Sequence, residues 1–196
     1  MEENRKTFQI TDEIFATVYS NIKDIPSDVI IPNQCHGSNL VEIITGKEDL
    51  SNCDALITSK KDFKLGIKTA DCAAVCFTDG KKIGIAHIGW RGLCLSLIEK
   101  MLMEFEKENL SVFVGPFYHN FELKKDFCFD KIKEKFGEKY LYEKDGKLTF
   151  SFKDAIMSLL PEQTIFDSRN TFTDISLPSF RRDKTLERLA VVLNLK

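Results

Sequence analysis

Apolar residues in this 196-residue chain gather in short runs between polar breaks, and the spacing inside the runs changes part-way along. Runs at 28–31, 40–44, 55–58, 65–68, 73–77 and 83–88 predict strands. From Leu93 the period lengthens. Cys94, Ile98, Met101, Leu102 and Phe105 recur at three and four residues, which places them on one helical stripe facing the sheet. Residues 111–114 predict a further strand closed by Gly115-Pro116, and 124–136 and 152–160 predict helices, the second stopping before Pro161. The segment 186–195 admits two readings, because Leu189, Val192 and Leu193 suit a helix while Val191 and Val192 favour a strand.

Strands clustered early with helices placed later predict a mixed α/β layer structure. Only short polar breaks interrupt the chain, at 46–52 and 78–82, with no repeat and no Pro/Gly/Ser linker, so one domain over residues 1–196 is expected. A hydrophobic content of 43% is enough for a sizeable core. The balance of 28 basic to 30 acidic residues, without a basic run interleaved with aromatics, argues against nucleic acid as a partner. Residues 1–11 are polar and no apolar run reaches membrane-spanning length, so a cytoplasmic location without membrane association is expected. Six scattered cysteines without a Cys-x-x-Cys pair suit free thiols rather than disulfides there.

Three short segments carry the candidate chemistry: Gln34-Cys35-His36-Gly37, Thr69-Ala70-Asp71-Cys72 and Ala86-His87-Ile88-Gly89-Trp90-Arg91-Gly92. Two imidazoles and a thiolate from His36, Cys72 and His87 form a good zinc donor set, and three protein ligands with one open position are usual for a catalytic zinc. Along the 83–88 strand, Ile83, Ile85 and His87 share one face and Gly84, Ala86 and Ile88 the other. The 89–92 turn then opens a helix whose N–H groups, with the fork of Arg91, would suit a phosphate or carboxylate. Each feature has a plainer reading. A strand-end histidine is commonly a structural hydrogen-bonder, Cys72 a small buried hydrophobe, Arg91 a carboxylate partner and Trp90 a core residue. His119 lacks a chemical neighbour pattern and reads as structural.

Spacing alone does not unite ligands so far apart. The ordered set Gln34-x-His36-Gly37, Asp54-Ala55-Leu56-Ile57-Thr58, Thr69-Ala70-Asp71-Cys72, Ala86-His87-x-Gly89-Trp90-Arg91-Gly92, Gly115-Pro116 and Ser179-Phe180-Arg181-Arg182-Asp183 resembles the YfiH-like family, also called laccase-domain or polyphenol oxidoreductases and more recently purine nucleoside phosphorylases. The resemblance runs from about Ile31 to the C-terminus. It implies an α+β fold, a mixed β-sheet sandwich flanked by helices and grouped with toxin-type cysteine deamidases. It also implies metal binding by His36, Cys72 and His87, which would be the catalytic centre. Compared with the family pattern the N-terminal region is short, with about thirty residues before Gln34. Arg169-Asn170-Thr171 stands where a Cys-Thr pair is usual, and Thr185-Leu186-Glu187-Arg188 follows the usual Thr-Gly-Arg only loosely.

The activity implied is zinc-dependent phosphorolysis of adenosine, inosine or methylthioadenosine, with adenosine deamination as a companion reaction. The substrates would be a purine nucleoside and inorganic phosphate, and the protein a monomer or small homo-oligomer. Phosphate would sit against Arg91, with Arg181 or Arg182, while Asp71 would orient His87 from behind. The chain lacks the His-x-Glu and Pro-Cys-x-x-Cys signature of zinc deaminases. Copper is the alternative metal, but oxygen reduction needs a multi-histidine cluster and the chain has three histidines. Other readings are a metal-free cysteine hydrolase or deamidase with Cys72 as nucleophile and His87 as base, a peptidoglycan-editing amidase, and an inactive metal-binding protein.

Overall fold

Two adjacent strands buried on both faces organise the architecture. In this computed structural model, which describes residues 4–195, every residue of β7 and β8 is buried. Residues 1–3 and 196, the ends of the expected domain and of the polar 1–11 stretch, lie outside the described residues. In chain order the strands are β1 (Arg5–Gln9), β2 (Ile14–Tyr19), β3 (Val29–Ile30), β4 (Leu40–Glu42), β5 (Ala55–Thr58), β6 (Lys64–Thr69), β7 (Ala73–Thr78), β8 (Ile83–Ile88), β9 (Ser111–Val114), β10 (Asn120–Glu122), β11 (Leu141–Lys144), β12 (Lys147–Ser151), β13 (Ile165–Phe166) and β14 (Leu189–Leu195). The helices are α1 (Trp90–Cys94), α2 (Leu97–Leu102), α3 (Phe127–Phe136), α4 (Phe152–Met157) and α5 (Phe180–Asp183).

Five strands form a sheet in the order β1-β2-β14-β6-β3, six form a second in the order β13-β9-β7-β8-β5-β4, and β10-β12-β11 form a small third sheet. Pairing is mixed, with β3–β6, β4–β5 and β9–β13 parallel and the remaining pairs antiparallel. The α+β sandwich expected from the resemblance is the fold observed.

The two-residue period of β8 sorts its side chains between two cores. Ile83 and Ile85 join Ile14, Leu65, Ile67, Val191 and Leu193 between the two large sheets. Ala86 and Ile88 face the other way, against Leu93, Leu97, Ile98 and Met101 of the helical layer. The molecule is therefore layered as sheet, sheet and helices, with the second sheet apolar on both faces, which explains why its strands read as continuous apolar runs.

Several elements differ in extent from the expectation. The stripe from Leu93 is not one helix, because Ser96 adopts a left-handed backbone (φ 61°) that separates α1 from α2, and Phe105 lies past the end of α2 while still packing on the core. Helix α3 begins later than expected, at Phe127, where Asp126 caps it by accepting from the amides of Cys128 and Phe129. The ambiguous C-terminal segment is a strand, β14, held between β2 and β6, where β-branched residues fit the pleat.

Gly84 shows how tightly the second sheet meets the helices. A Cβ there would stand 2.8 Å from Phe105 Cζ and 2.9 Å from both Ile57 Cγ2 and Met101 Cε. Gly84→Ala is expected to destabilise the protein by about 1–3 kcal/mol through overpacking, measured as a lower urea midpoint at unchanged m-value.

Candidate metal centre

The centre lies where three chain segments end at one edge of the sandwich. His87 is the fifth residue of β8, paired with Ala74 of β7, so the ladder fixes its backbone. Cys72 sits in the turn from β6 into β7, after Asp71, whose φ of 90° turns the chain sharply. His36 comes from the loop between β3 and β4 and also has positive φ (62°).

A single buried carboxylate gathers two of these pieces. Asp54, immediately before β5, is fully buried. One of its oxygens accepts from His87 Nδ1 at 2.8 Å and from the His36 amide at 3.0 Å. The other accepts from the Gly37 amide at 2.7 Å, the Cys35 amide at 3.2 Å and Cys35 Sγ at 3.0 Å. With Nδ1–H donated to Asp54, Nε2 of His87 is the ring nitrogen left to face Cys72, and its lone pair is available to a metal once that nitrogen is deprotonated. A carboxylate behind a histidine is the usual support of a metal ligand. Asp54 therefore occupies the place behind His87 that the sequence suggested for Asp71. Asp71 instead accepts from Thr171 Oγ1 at 2.9 Å and from the Arg181 amide at 2.7 Å.

The donor atoms of His36, Cys72 and His87 all lie within 4.8 Å of one another. A tetrahedral centre with bonds of about 2.0–2.3 Å sets such atoms roughly 3.5 Å apart, so the three could hold one ion only after drawing closer together than they stand here. The rings of His36 and His87 meet edge to face, with centroids 4.7 Å apart. Gly89 keeps the following turn clear of them, since a Cβ there would stand 3.1 Å from Cys72 Sγ and 3.2 Å from His36 Cδ2.

Electrostatics prepare the donors. Burial by itself raises the Cys72 thiol, yet hydrogen bonds to His36 and His87 with their positive fields bring its pKa down to about 6. Burial likewise disfavours a charged His87, but Asp54 and Cys72 raise its pKa to about 9. Asp54 pays a burial penalty too, and its bonds to His87, Cys35 and Gly37 still hold it far below the usual carboxylate range. Without metal, a thiolate and an imidazolium therefore face each other at neutral pH. Cys35, although next to His36, is held above the ordinary thiol range by its hydrogen bond to Asp54, which leaves it a poor ligand.

A cavity of about 460 Å³ opens on the three donors. Lys68, Arg181 and Arg188 supply cations to its lining, Trp90 and Phe180 supply aromatic surface, and Thr69 and Asp71 complete one wall. The Thr69 hydroxyl is buried there without a protein partner. Gln34 ties the His36 segment to β6, donating to Lys68 O at 2.8 Å and accepting from Lys68 N at 3.1 Å.

Of the three arginines suggested by the sequence, only Arg181 lines this cavity. Arg91 lines a neighbouring one with Phe127 and Lys131, its guanidinium 5.3 Å from the Trp90 ring centroid. Arg182 is used structurally: its donors go to the carbonyls of Thr171, Phe172, Asp174 and Leu177 and to the Asp183 carboxylate. Lys68, Arg188 and above all Asp54 were not singled out. The signal for Asp54 was an acidic residue abutting the apolar run 55–57, which burial obliges to find donors.

Residues 12–196 match the family described as multi-copper polyphenol oxidoreductase laccase. The chain belongs to that family. A member named purine nucleoside phosphorylase from Aquifex aeolicus is 31% identical over 170 residues, covering 82% of this chain and 80% of the relative. Purine nucleoside phosphorylase YfiH from Escherichia coli is 27% identical over 206 residues, covering 97% and 79%. A Neisseria meningitidis protein of solved structure superimposes with TM-score 0.85 at 19% identity, covering 99% of this chain and all of that one. The YfiH protein of Bacillus licheniformis gives 0.75 at 23% identity, covering 86% and 74%. The laccase description does not fit this chain's donors: of its three histidines, His119 lies outside the cluster, and two histidines with one cysteine are enough for one ion.

Two measurements test the centre. Asp54→Asn is expected to weaken zinc binding about 10–100-fold in competition with a chromophoric chelator, because His87 loses its anionic support. In metal-free protein, alkylation of Cys72 by iodoacetamide, followed by peptide mass, is expected to reach half its plateau rate near pH 6. An unperturbed thiol would do so near about 8.5.

Proposed function

We propose that this protein is a zinc-dependent purine nucleoside phosphorylase acting on adenosine, inosine or methylthioadenosine. The observation that carries the reading is one cavity combining three cations, two aromatic rings and the His/Cys/His donors. The names of the Aquifex and Escherichia relatives support it.

In this reading Lys68, Arg181 and Arg188 bind inorganic phosphate, with guanidinium forks matching its oxygens. Trp90 and Phe180 offer surfaces for the purine. A phosphate oxygen attacks C1′ of the sugar as the bond to N9 breaks, and the electron pair leaves with the base, giving the corresponding pentose 1-phosphate. The ribosyl centre is cationic at the transition state, so an oriented dianion held beside it stabilises that state more than the ground state. His36, Cys72 and His87 would hold the zinc, and Asp54 would keep His87 in the right tautomer. When bound, zinc supplies Lewis acidity that favours departure of the purine anion. Adenosine deamination ranks lower, because among the described residues Asp71 is the only carboxylate lining the cavity and its oxygens already serve Thr171 and Arg181.

The facing thiolate and imidazolium favour one second reading, a metal-free hydrolase in which Cys72 is the nucleophile, His87 its base and Asp54 the orienting carboxylate. One set of assays separates the two. Protein incubated with each nucleoside is expected to release free base only with phosphate present, with ribose 1-phosphate as co-product from adenosine and inosine and 5-methylthioribose 1-phosphate from methylthioadenosine. Chelation, Cys72→Ala and His87→Ala are each expected to lower the rate at least about 100-fold, and added zinc to restore only the chelated wild type. Turnover that survives chelation but not alkylation of Cys72 would transfer the assignment to the hydrolase.

A further inference from the structure

Asp71 stands next to Cys72 yet touches no other member of the metal centre through its side chain; its bonds run to segments far along the chain. Thr171, whose hydroxyl it accepts at 2.9 Å, is 100 residues away, and Arg181, whose amide it accepts at 2.7 Å, is 110 residues away. Its carbonyl also accepts from the Tyr118 amide at 3.0 Å. The residue is buried and held at φ 90°, a backbone region that L-residues avoid and that persists where surrounding bonds enforce it.

What these bonds fix is the part of the cavity lining that Arg181 supplies. The Arg181 guanidinium lies over the Phe121 ring at 4.3 Å and near the Tyr118 ring at 5.9 Å, without an ion pair among the described residues. Nearby arginines differ: Arg169 is bound fork-to-fork by Asp167, and Arg182 is saturated by carbonyls and Asp183. Had Asp71 taken the Arg181 guanidinium, it would have neutralised a cation of the cavity. Taking the amide instead, it anchors the residue and leaves the guanidinium donors for a ligand.

We propose that Asp71 is a positioning residue for oxyanion binding, holding Arg181 over its aromatic shelf so that the guanidinium meets a phosphate dianion beside Cys72. The idea rests on the phosphorolysis reading for its ligand, but its geometry concerns this chain alone. The role requires hydrogen-bonding shape and no negative charge. In Asp71→Asn, Oδ1 can accept from the Arg181 amide while the amide nitrogen donates to Thr171 Oγ1, so the clasp is kept. Asp71→Ala loses it.

The test titrates inorganic phosphate into the zinc-loaded full chain by calorimetry and follows the phosphate dependence of base release. Asp71→Ala is expected to raise both Kd and KM for phosphate roughly tenfold or more, with kcat at saturating phosphate changed less than about threefold and zinc content unchanged. Asp71→Asn is expected to stay within about threefold of wild type, and Arg181→Ala to bind phosphate as weakly as the Asp71→Ala/Arg181→Ala double variant, since the two act through one contact. Should Asp71→Ala fail to fold, Thr171→Val removes one arm of the clasp and is expected to weaken phosphate binding severalfold. Wild-type phosphate affinity in folded Asp71→Ala or Thr171→Val overturns the proposal. So does an Asn variant as weak as Ala, because charge would then be the requirement, and so does a wild-type protein that binds no phosphate. A wild type that binds phosphate but releases no purine base removes the nucleoside reading and leaves the role of Asp71 standing.

Discussion

The carboxylate of Asp54 is the interaction on which the candidate centre depends. A fully buried acid in an apolar sandwich has to be satisfied or it destabilises the fold by several kcal/mol, roughly. Asp54 is satisfied by five donors: two side chains, from Cys35 and His87, and the amides of Cys35, His36 and Gly37. Folding of the second sheet therefore recruits the 35–37 loop, because the carboxylate at the start of β5 is incompletely paired until that loop closes on it. Two of the three candidate ligands are set by one residue whose own need is structural. The same bond that completes the core also orients His87.

Layering explains where the site lies. Strands β7 and β8 have no polar face to offer, so chemistry has to appear where they end. His87 does so at the end of β8, Cys72 just before β7, and the α5 segment closes over them through the contacts of Asp71. A rigid ladder carries His87 and ends one residue after Cys72, while His36 and Arg181 come from segments fastened by the carboxylates of Asp54 and Asp71. Precision at His87 and adjustability at His36 and Arg181 follow from that division.

The strands that carry the site were the most legible part of the sequence: 55–58 and 83–88 are β5 and β8 to the residue, because both-face burial writes runs whose only polar members are Thr58 and His87. Elements with one wet face were missed. The β1–β2 hairpin has a largely exposed first strand whose polar residues resemble a loop. The β11–β12 hairpin was missed although Asp145-Gly146, both at positive φ, is a strong two-residue turn signal between its strands. For the site, His36, Cys72 and His87 came from family resemblance and not from spacing, and the structure brings them together. Asp54 escaped because its partner lies 33 residues away and nothing local marks the pairing. The arginines divided by neighbours that sequence does not display: carbonyls claim Arg182, the Trp90 face holds Arg91, and Arg181 is left with aromatic shelves.

His36 and Asp71 share a positive φ, uncommon for any residue but glycine even though histidine and aspartate tolerate it better than most. Each residence in that region disfavours the folded state by roughly 1–3 kcal/mol, and each is sustained by a carboxylate, that of Asp54 for the first and that of Asp71 itself for the second. The fold thus carries conformational tension at two loops that line the cavity, and a redesigned chain relaxed at those positions would gain robustness at the expense of the present placement of His36 and Arg181.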